Sequence, residues 1–406
     1  MLSPLELLAA LPWLAITLLL PFVLRNRPRL ERVPPVENGD GPLVSIVVPA
    51  RNEAHNIGAC VTMLLASGYE RREIVVVDDH STDGTGDIAR ILAERSDGAV
   101  RVIESQPLPE GWVGKCWACW QGYEAAHGDV LLFTDADTRH DERLLGHALG
   151  ALRRTGAALV SVAPRQLMET FWERAVLPHI FLLISIRFRD LDRVNRATRP
   201  RDVIANGQFM LMPRDAYEAV GGHRAVRSEI VEDLHLAQRF VASGRRVYMA
   251  NGERLMATRM YRSFGQVIEG WSKNLALGSR STVDAWLRPF LPWALGALLL
   301  VVWTVPVLLL ALWLVGMVTP AVRNWAIVTS TASLVFWVAT FLRLRVPPLN
   351  ALLFPLGGAV AGLLFLRSAI RGASVGWKGR IYDVDALAAA RAGTGPEDPP
   401  ASRLQP

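Results

Sequence analysis

Cysteine is scarce in this chain of 406 residues, which has only Cys60, Cys116 and Cys119. A small, odd number argues against a disulfide framework and fits a reducing compartment. Cys116 and Cys119 form a C-x-x-C pair, but a structural zinc ion needs four ligands and the sequence has no second pair. We therefore expect these cysteines to be small, packed helix residues.

Two glycine-rich nucleotide-binding motifs are also missing. No G-x-G-x-x-G follows the first predicted strand and no G-x-x-x-x-G-K-S/T occurs anywhere, so the sequence offers neither dinucleotide nor P-loop chemistry. The net charge of +6 comes without a basic stripe interleaved with aromatic residues, and we predict no nucleic-acid partner. Arginines that flank apolar segments, and that suit anionic lipid headgroups, account for the positive charge.

Long apolar runs are absent from residues 43–285 but occur at both ends of the chain. Residues 5–24 are uncharged after Glu6 and reach the ~20 residues needed to cross a bilayer. A basic cluster follows this run, whereas a cleaved signal peptide would begin with one, so we predict an uncleaved transmembrane anchor over residues 1–26. Positive residues mark the cytoplasmic side, which predicts a multi-pass protein of the cell membrane whose residues 43–285 are cytoplasmic.

Three further apolar stretches, at about 289–317, 325–342 and 347–370, form a predicted C-terminal membrane region over residues 288–370. Three full crossings would place the basic residues that follow on the outer side, against the charge rule. The last stretch contains several Pro and Gly residues and is the best candidate for a broken segment that does not cross. Residues 371–406 are expected to form a tail that is partly disordered.

Strand and helix patterns alternate from Leu43 onward. Short β-branched runs, typical of strands buried on both faces, occur at residues 43–49, 73–79, 99–105 and 129–135. Apolar residues at helical spacing separate these runs, and one helix is expected to begin near Lys115. This order predicts an α/β fold with a Rossmann-like, mostly parallel sheet, flanked by N- and C-terminal transmembrane helices.

Acidic side chains follow three of the predicted strands at the point where each strand ends. They lie in PARNE (49–53), DDHSTD (78–83) and DAD (135–137). In a parallel sheet the carboxyl ends of the strands face one crevice, which is where ligands bind. Asp135 and Asp137 alone could form an ordinary turn, but carboxylates ~4 Å apart repel by roughly 4 kcal/mol at an effective dielectric of 20, which favours a shared cation.

A sugar nucleotide suits such a crevice. Carboxylates and backbone groups can hold its uracil and ribose, while its diphosphate needs a divalent cation. Asp135 and Asp137 would hold that cation, Mg²⁺ or Mn²⁺, through hard oxygen ligands. The crevice therefore predicts a nucleotide-sugar donor as a partner.

Four motifs in this order resemble those of the family 2 glycosyltransferases: VSIVVPARNEAHNI, IVVVDDHSTDGT, DVLLFTDADT and IVEDLHLAQRF. The stretches most similar to its membrane-bound branch, which glycosylates carotenoids and other polyisoprenoid lipids, are EGWVGKCWACWQG (110–122), IANGQFMLMPRDAYEAVGGH (204–223), MYRSFGQVIEGWSKN (260–274) and GWKGRIY (376–382). The resemblance implies a nucleotide-sugar-binding domain over residues 43–285. It also implies an inverting hexosyltransferase that moves a sugar from a UDP-sugar to a hydroxyl or carboxyl of a membrane lipid such as a carotenoid or other isoprenoid.

The resemblance assigns roles to individual residues. It places the donor's uridine against Ala50, Arg51 and Glu53 with Asp78 or Asp79, and it makes Pro49 a further donor contact. Asp135 and Asp137 match the metal and diphosphate motif, with Asp135 also a donor contact. Asp233 matches the general base, with Glu232 beside it, and an inverting transfer needs such a carboxylate to take the acceptor's proton. Alternatively, Glu232 and Asp233 only favour the positive end of the helix that follows them.

Other similar stretches supply further candidate contacts. Lys115 follows a glycine turn and suits a phosphate; the alternative is an exposed lysine at a helix start. Trp271 matches the tryptophan of the family's Q-x-x-R-W signature and is expected at the donor. Val267 and Gly270 replace the signature's glutamine and arginine, which counts against a processive polysaccharide synthase. The remaining acceptor or diphosphate candidates are Trp112, Gly207, Gln208, Arg262 and Lys273.

Residues 171–190 are apolar but charged at both ends, and too short to cross a bilayer comfortably. We expect an interfacial helix at the headgroup level, which would bring the active site to the membrane surface. Two other functions stay open, because a fold does not fix a function. One is transfer to a polyprenyl phosphate, which is already anionic and needs no base, or to a polysaccharide chain. The other is a non-catalytic membrane protein that binds nucleotides.

Overall fold

A computed structural model describes residues 4–18, 28–37, 39, 41–188, 190–371, 374–377, 379–383 and 386–387. Residues 19–26 of the predicted anchor, residues 388–406 of the predicted tail and the side chain of Lys273 lie outside the described part of the chain. The strands are β1 (Val44–Ala50), β2 (Arg72–Asp78), β3 (Val100–Glu104), β4 (Val130–Phe133), β5 (Thr138–His140), β6 (Leu159–Ala163), β7 (Arg165–Gln166), β8 (Met210–Pro213), β9 (Val247–Asn251), β10 (Met256–Thr258), β11 (Ser374–Trp377) and β12 (Arg380–Asp383). The helices are α1 (Pro4–Thr17), α2 (Ile57–Leu65), α3 (Thr85–Glu94), α4 (Gly114–Glu124), α5 (Leu144–Thr155), α6 (Phe171–Arg187), α7 (Leu191–Val194), α8 (Arg214–Ala219), α9 (Glu232–Ala242), α10 (Phe264–Ser281), α11 (Leu291–Leu299), α12 (Val305–Leu314), α13 (Pro320–Arg343) and α14 (Phe354–Arg371).

A seven-stranded sheet forms the centre of residues 43–285, which we call the sheet domain. Its strand order is β3-β2-β1-β4-β8-β6-β9. Neighbouring strands among β3, β2, β1 and β4 are parallel, as are β6 and β9, whereas β8 runs antiparallel to β4 and β6. The predicted mostly parallel α/β sheet is confirmed, and the four predicted strands are its first four along the chain. The sequence patterns did not indicate β8.

The sheet is buried on both faces. Neighbouring residues of one strand contribute to different cores, because alternate side chains point to opposite faces of the sheet. Ile46 contributes to a core with α2, α3 and α5, and Val47 contributes to the core on the other face with α4, α8 and α9. Cys60 lies in α2, and Cys116 and Cys119 lie in α4. All three are buried with free thiols, as the sequence predicts.

Three C-terminal helical segments are long and apolar enough to cross a membrane: Leu291–Leu314, Pro320–Arg343 and Pro348–Ile370. They correspond to the three predicted apolar stretches. A π-helical turn at Leu300–Thr304 joins α11 to α12 within the first segment. Helix α1 packs beside α13, where Trp13 Nε1 donates to the Val302 carbonyl at 2.8 Å and its ring lies 5.0 Å from that of Trp325.

The third apolar segment lies against the sheet domain, because α14 packs on both α6 and α10. Both flanks of the segment are also tied to that domain. Arg343, before the segment, lies 3.0 Å from Glu253, and Arg380, after it, lies 2.6 Å from Asp79. The chain therefore contacts the sheet domain both before and after this segment.

Helix α6 is the helix predicted over residues 171–190. A capping box of Thr170 and Glu173 starts it, with each side chain bonded to the other's backbone N–H. Helix α14 covers it closely, since a Cβ added at Gly357 would collide with the Ala175 carbonyl of α6. The apolar surface of α6 thus packs partly on the rest of the sheet domain and partly on the apolar C-terminal region.

Candidate active site

The carboxyl ends of β1, β2 and β4 open into one cavity of about 1150 Å³. These ends are adjacent because β1 pairs in parallel with both other strands. The predicted strand-end residues that line the cavity are Pro49, Ala50, Arg51, Glu53, Asp79, Asp135 and Asp137. The predicted convergence of three acidic strand ends on one crevice is confirmed.

The two consecutive aspartates after β2 have different environments. Asp79 lines the cavity, and its backbone carbonyl accepts a hydrogen bond from Arg51 Nη1 at 2.5 Å. Asp78 instead turns toward its own loop, where Oδ1 accepts from the Ser81 backbone N–H at 3.2 Å. Asp79 therefore faces the cavity, while Asp78 stabilises the turn that precedes α3.

Polar groups from neighbouring strands donate hydrogen bonds to the backbone carbonyls of the loop that contains Asp135 and Asp137. Thr138 Oγ1 donates to the Asp135 carbonyl at 2.7 Å. Thr258 Oγ1 and the Arg259 backbone N–H both donate to the Asp137 carbonyl, each at 3.4 Å. These groups come from β5, from β10, which pairs antiparallel with it, and from the residue after β10. The loop backbone is therefore fixed, and it presents both carboxylates to the cavity.

Lys115, the second residue of α4, connects this loop to α9. Its Nζ lies 2.8 Å from Asp135 Oδ1 and 2.7 Å from Glu232 Oε1. Burial would lower the pKa of Lys115, but the two carboxylates outweigh it and raise that pKa well above its usual value. Burial raises the pKa of Asp135, although Lys115 opposes the change. Lys115 is thus a held cation inside the cavity, and its interpretation as an exposed helix-start lysine is wrong.

Asp233 lies in the first turn of α9, beside Glu232. Its Oδ2 accepts from the Gly207 backbone N–H at 2.8 Å, and its Oδ1 accepts from the Leu234 backbone N–H at 2.7 Å. Burial and the charge of Glu232 raise the pKa of Asp233 to about 6, against the opposing effects of Lys115 and of these backbone donors. A carboxylate with a pKa close to neutrality, fixed in a cavity, suits the uptake of a proton from a ligand.

Arg262 and Gln208 reach the site from two other directions. Arg262 Nη2 donates to Asn56 Oδ1 at 3.0 Å, and Asn56 Nδ2 donates to Glu53 Oε2 at 2.8 Å. Arg262 therefore lies at the end of β1, where the donor is expected. Gln208 is buried and its Nε2 donates to Thr258 Oγ1 at 2.8 Å, so its amide supports the loop below the carboxylates.

The two tryptophan candidates lie apart from the strand ends. Trp271 lines the cavity within an apolar cluster, with its ring 5.8 Å from that of Phe181. Trp112 packs on Trp117, with ring centroids 5.0 Å apart, and it is not among the described residues that line the cavity. Trp271 therefore lies in the apolar part of the cavity wall, and Trp112 packs against Trp117.

The other end of the cavity is apolar. Side chains from α6, α10 and the C-terminal apolar segments line it, among them Ile180, Ile184, Leu275, Leu291, Leu295 and Phe365. One cavity thus connects the acidic strand ends to helices that are apolar enough to span a membrane.

A hairpin of β11 and β12 reaches the site from beyond the apolar segments, and the sequence did not predict it. Arg380 Nη1 and Nη2 donate to the two carboxylate oxygens of Asp79 at 2.6 and 3.0 Å. The hairpin lies in the stretch GWKGRIY, which carries part of the family resemblance. No local pattern reveals this contact, because the two partners are 301 positions apart in the sequence.

The two aspartates of the loop are candidate ligands of a divalent cation. Among the described residues, no group of three or more His, Cys, Asp or Glu side chains has an arrangement that could hold a metal ion. Mg²⁺ is commonly bound through one or two carboxylates and completed by substrate phosphates and water. Asp135 and Asp137 fit that kind of site, one formed together with a diphosphate.

Comparison with known proteins agrees with this arrangement. Residues 45–221 match the family described as glycosyl transferase family 2. The 4,4'-diaponeurosporenoate glycosyltransferase of Staphylococcus haemolyticus (strain JCSC1435) is 28% identical over 265 residues, which are 63% of this chain and 67% of the relative. The protein of the same name from Staphylococcus aureus (strain MRSA252) is 27% identical over 266 residues, 64% of this chain and 68% of the relative.

Among solved structures, the mannosyltransferase PcManGT from Pyrobaculum calidifontis, in complex with GDP-Man and Mn²⁺, has a similar fold. The TM-score is 0.55 at 19% identity, over 89% of this chain and 97% of that chain. The shared fold, the family match and the two relatives agree with the motifs at the strand ends. Residues 45–221 therefore match a glycosyl transferase family 2 domain.

Proposed function

We propose that this enzyme transfers a sugar from a nucleoside-diphosphate donor, a UDP-sugar, to a carotenoid or other isoprenoid lipid of the membrane, with inversion at the anomeric carbon. The observation that carries the proposal is the single cavity that joins acidic strand ends to apolar helices. A charged donor suits the first end and an isoprenoid chain suits the second. The two relatives named 4,4'-diaponeurosporenoate glycosyltransferases support a carotenoid acceptor.

At the donor end, Arg51, Glu53 and Asp79 would bind the nucleoside, because they line the cavity beyond β1 and β2. Lys115 would bind the diphosphate. A divalent cation held by Asp135 and Asp137 would supply counter-charge to the departing diphosphate. The mannosyltransferase of similar fold was solved with GDP-Man and Mn²⁺, which supports both a nucleotide-sugar donor and a metal.

At the acceptor end, Asp233 would act as the general base. The acceptor oxygen forms a bond to the anomeric carbon, the bond from that carbon to the diphosphate oxygen breaks, and the hydroxyl proton passes to the Asp233 carboxylate. Hydrogen bonds from Gly207 and Leu234 hold that carboxylate in place. An acceptor carboxylate brings no proton, so transfer to such an acceptor would need no general base.

We further propose that the sheet domain is cytoplasmic and that only the first two C-terminal segments cross the membrane. The third segment has both flanks bonded to the sheet domain, through Arg343 with Glu253 and Arg380 with Asp79. A segment anchored on one side at both ends lies along the inner surface of the membrane rather than across it. Two crossings also return the basic residues after α14 to the cytoplasm, as the charge rule requires.

The test is transfer by purified, detergent-solubilised protein. A panel of labelled sugar nucleotides is combined with isoprenoid lipids that carry a hydroxyl or a carboxyl, and with polyprenyl phosphate. Mass spectrometry then identifies the labelled lipid. Label on a hydroxyl- or carboxyl-bearing isoprenoid supports the proposal. Label found only on polyprenyl phosphate, or no transfer from any donor, would contradict it.

A further inference from the structure

The hairpin of β11 and β12 lies over the start of α4, the helix that carries Lys115. Tyr382 is buried there among Val113, Cys116 and Ile230, and its Oη accepts from the Gly114 backbone N–H at 3.1 Å. Gly379 and Tyr382 line the same cavity as Asp79 and Lys115. The hairpin is therefore part of the cavity wall at its donor end.

Arg380 has the most specific contact of this hairpin. Its guanidinium meets the Asp79 carboxylate through two parallel hydrogen bonds, one to each oxygen, a geometry that fixes the orientation of the carboxylate as well as its position. The Asp79 side chain is only 4% exposed, so its charge depends on such partners.

We propose that Arg380 is a positioning residue of the donor site: it orients Asp79, and Asp79 in turn accepts hydrogen bonds from the base or ribose of the nucleotide. An ionised carboxylate has about four lone-pair positions. Arg380 uses one on each oxygen, which leaves acceptor capacity on both for N–H and O–H donors. The hairpin follows α14 directly, so the membrane-proximal region completes the nucleotide pocket.

This inference rests on the proposed function, since it assumes that a nucleotide donor binds beside Asp79. A purely structural role for Arg380 would differ from this one, because it would stabilise the fold without affecting the binding of the nucleoside more than the binding of the phosphates. Because Arg380 acts through Asp79, its loss should weaken contacts to the nucleoside and leave contacts to the phosphates unchanged.

The experiment compares the full-length variants Arg380→Ala and Arg380→Lys with Ile381→Ala. Ile381 is in the same strand and is 83% exposed, which makes it a matched control. Calorimetry measures Kd for UDP and GDP. Competition with labelled UDP or GDP, whichever binds, measures Ki for inorganic pyrophosphate. Steady-state kinetics gives KM for the donor separately from kcat, and thermal unfolding gives Tm.

We expect Arg380→Ala to raise the Kd of the bound nucleoside diphosphate and the donor KM by about 10- to 100-fold, the range for loss of a hydrogen bond to a charged group. Arg380→Lys keeps the charge but loses the paired geometry, so it should recover part of the affinity. The pyrophosphate Ki and kcat at saturating donor should stay at the wild-type values, and Ile381→Ala should match wild type in every measurement. The Tm of Arg380→Ala should fall, because Asp79 stays buried without its partner, whereas Arg380→Lys keeps the charge and should keep Tm near the wild-type value.

A second variant disturbs the contact between Arg380 and Asp79 without replacing either residue. A Cβ added at Gly114 would collide with the Arg380 guanidinium and would lie 3.1 Å from both Asp79 Oδ2 and Tyr382 Oη. Gly114→Ala should therefore disturb the contact between Arg380 and Asp79 and weaken nucleotide binding while both residues are retained.

Wild-type nucleotide affinity in Arg380→Ala, or an equal loss of pyrophosphate affinity, would overturn the inference and leave the proposed function standing. In Arg380→Lys, a fall in Tm with no loss of nucleotide affinity would indicate a purely structural role and overturn it too. If the wild-type protein binds no nucleoside diphosphate at all, the proposed function fails and this inference fails with it.

Discussion

Lys115 and Glu232 are joined by an ion pair of 2.7 Å between Nζ and Oε1, which ties the first turn of α4 to the first turn of α9. Lys115 also contacts Asp135, so a single cation connects the candidate metal loop to the turn that carries Asp233. The proposed donor site and the proposed base are thereby parts of one charge network, and a change at Lys115 should affect both.

Lys115→Met should therefore impair both halves of the reaction. Donor affinity falls because the diphosphate loses a counter-charge. The pKa of Asp233 rises above about 6, because Lys115 is one of the groups that lower it, so a larger fraction of the base is protonated at neutral pH. We expect transfer at pH 7 to fall by about 10²-fold or more, with partial recovery as the pH is raised.

Steady-state kinetics as a function of pH measures this effect, and Lys115→Arg is the matched control because it keeps the charge. Full activity of Lys115→Met at neutral pH, with the wild-type pH dependence, would show that the ion pair has no part in transfer.

The second prediction concerns the Asp-x-Asp loop. Asp137→Asn should abolish transfer and weaken donor binding in the presence of Mn²⁺ or Mg²⁺, because one hard oxygen ligand is lost and the diphosphate keeps less counter-charge. Calorimetry of donor binding with and without each metal separates metal-dependent binding from metal-independent binding. Asp78→Asn is a suitable control, since Asp78 faces its own turn. Full activity of the Asp135→Asn, Asp137→Asn double variant in chelator would exclude the metal role.

The sequence predicted the part of the fold that depends on local patterns. The runs over residues 43–49 and 129–135 indicated β1 and β4 because strands buried on both faces are apolar throughout. The parallel order then placed Asp79, Asp135 and Asp137 at one crevice. Strand β8 carried no such signal: its four residues, MLMP, are short and lack β-branched side chains.

The contacts that complete the site were beyond sequence reasoning, for a physical reason. Lys115 meets Glu232, and Arg380 meets Asp79, only after helices and strands far apart in the chain have packed together. Charge alone did not select these pairs, because the cavity is lined by several other arginines and carboxylates. Geometry distinguished Asp79 from Asp78, which no composition or spacing could do.

The third prediction concerns the membrane-proximal surface. A fragment of residues 40–285 should be poorly soluble or insoluble without detergent, because it lacks α14, which packs on α6 and α10. Removal of the C-terminal region exposes apolar side chains such as Ile180, Val267 and Trp271 as one patch, and patches of this kind promote association. Size-exclusion chromatography with and without detergent measures the outcome. A monodisperse, detergent-free fragment that is active on a lipid acceptor would contradict the prediction.

The last prediction concerns Asp233 and separates binding from chemistry. Asp233→Asn should leave donor affinity near the wild-type value, since the proposed donor contacts lie at the strand ends. Transfer to a hydroxyl acceptor should fall by 10²- to 10⁴-fold, the usual contribution of a general base, which corresponds to roughly 3 to 5 kcal/mol in the barrier. The Asn side chain keeps its size and can still accept the hydrogen bond from Gly207 or Leu234, so the fold should be preserved.

The pH dependence gives the same assignment independently. Asp233 accepts a proton only when it is ionised, and its pKa is raised to about 6. In the wild-type enzyme, kcat/KM should therefore be constant at neutral pH and fall as the pH drops through about 6, with an apparent pKa that belongs to Asp233 and Glu232 together. Asp233→Asn should lose this acidic limb along with its activity. Wild-type turnover in Asp233→Asn would instead indicate an acceptor that arrives already ionised, a carboxylate or a phosphate. A loss of donor affinity would assign Asp233 to the nucleotide pocket.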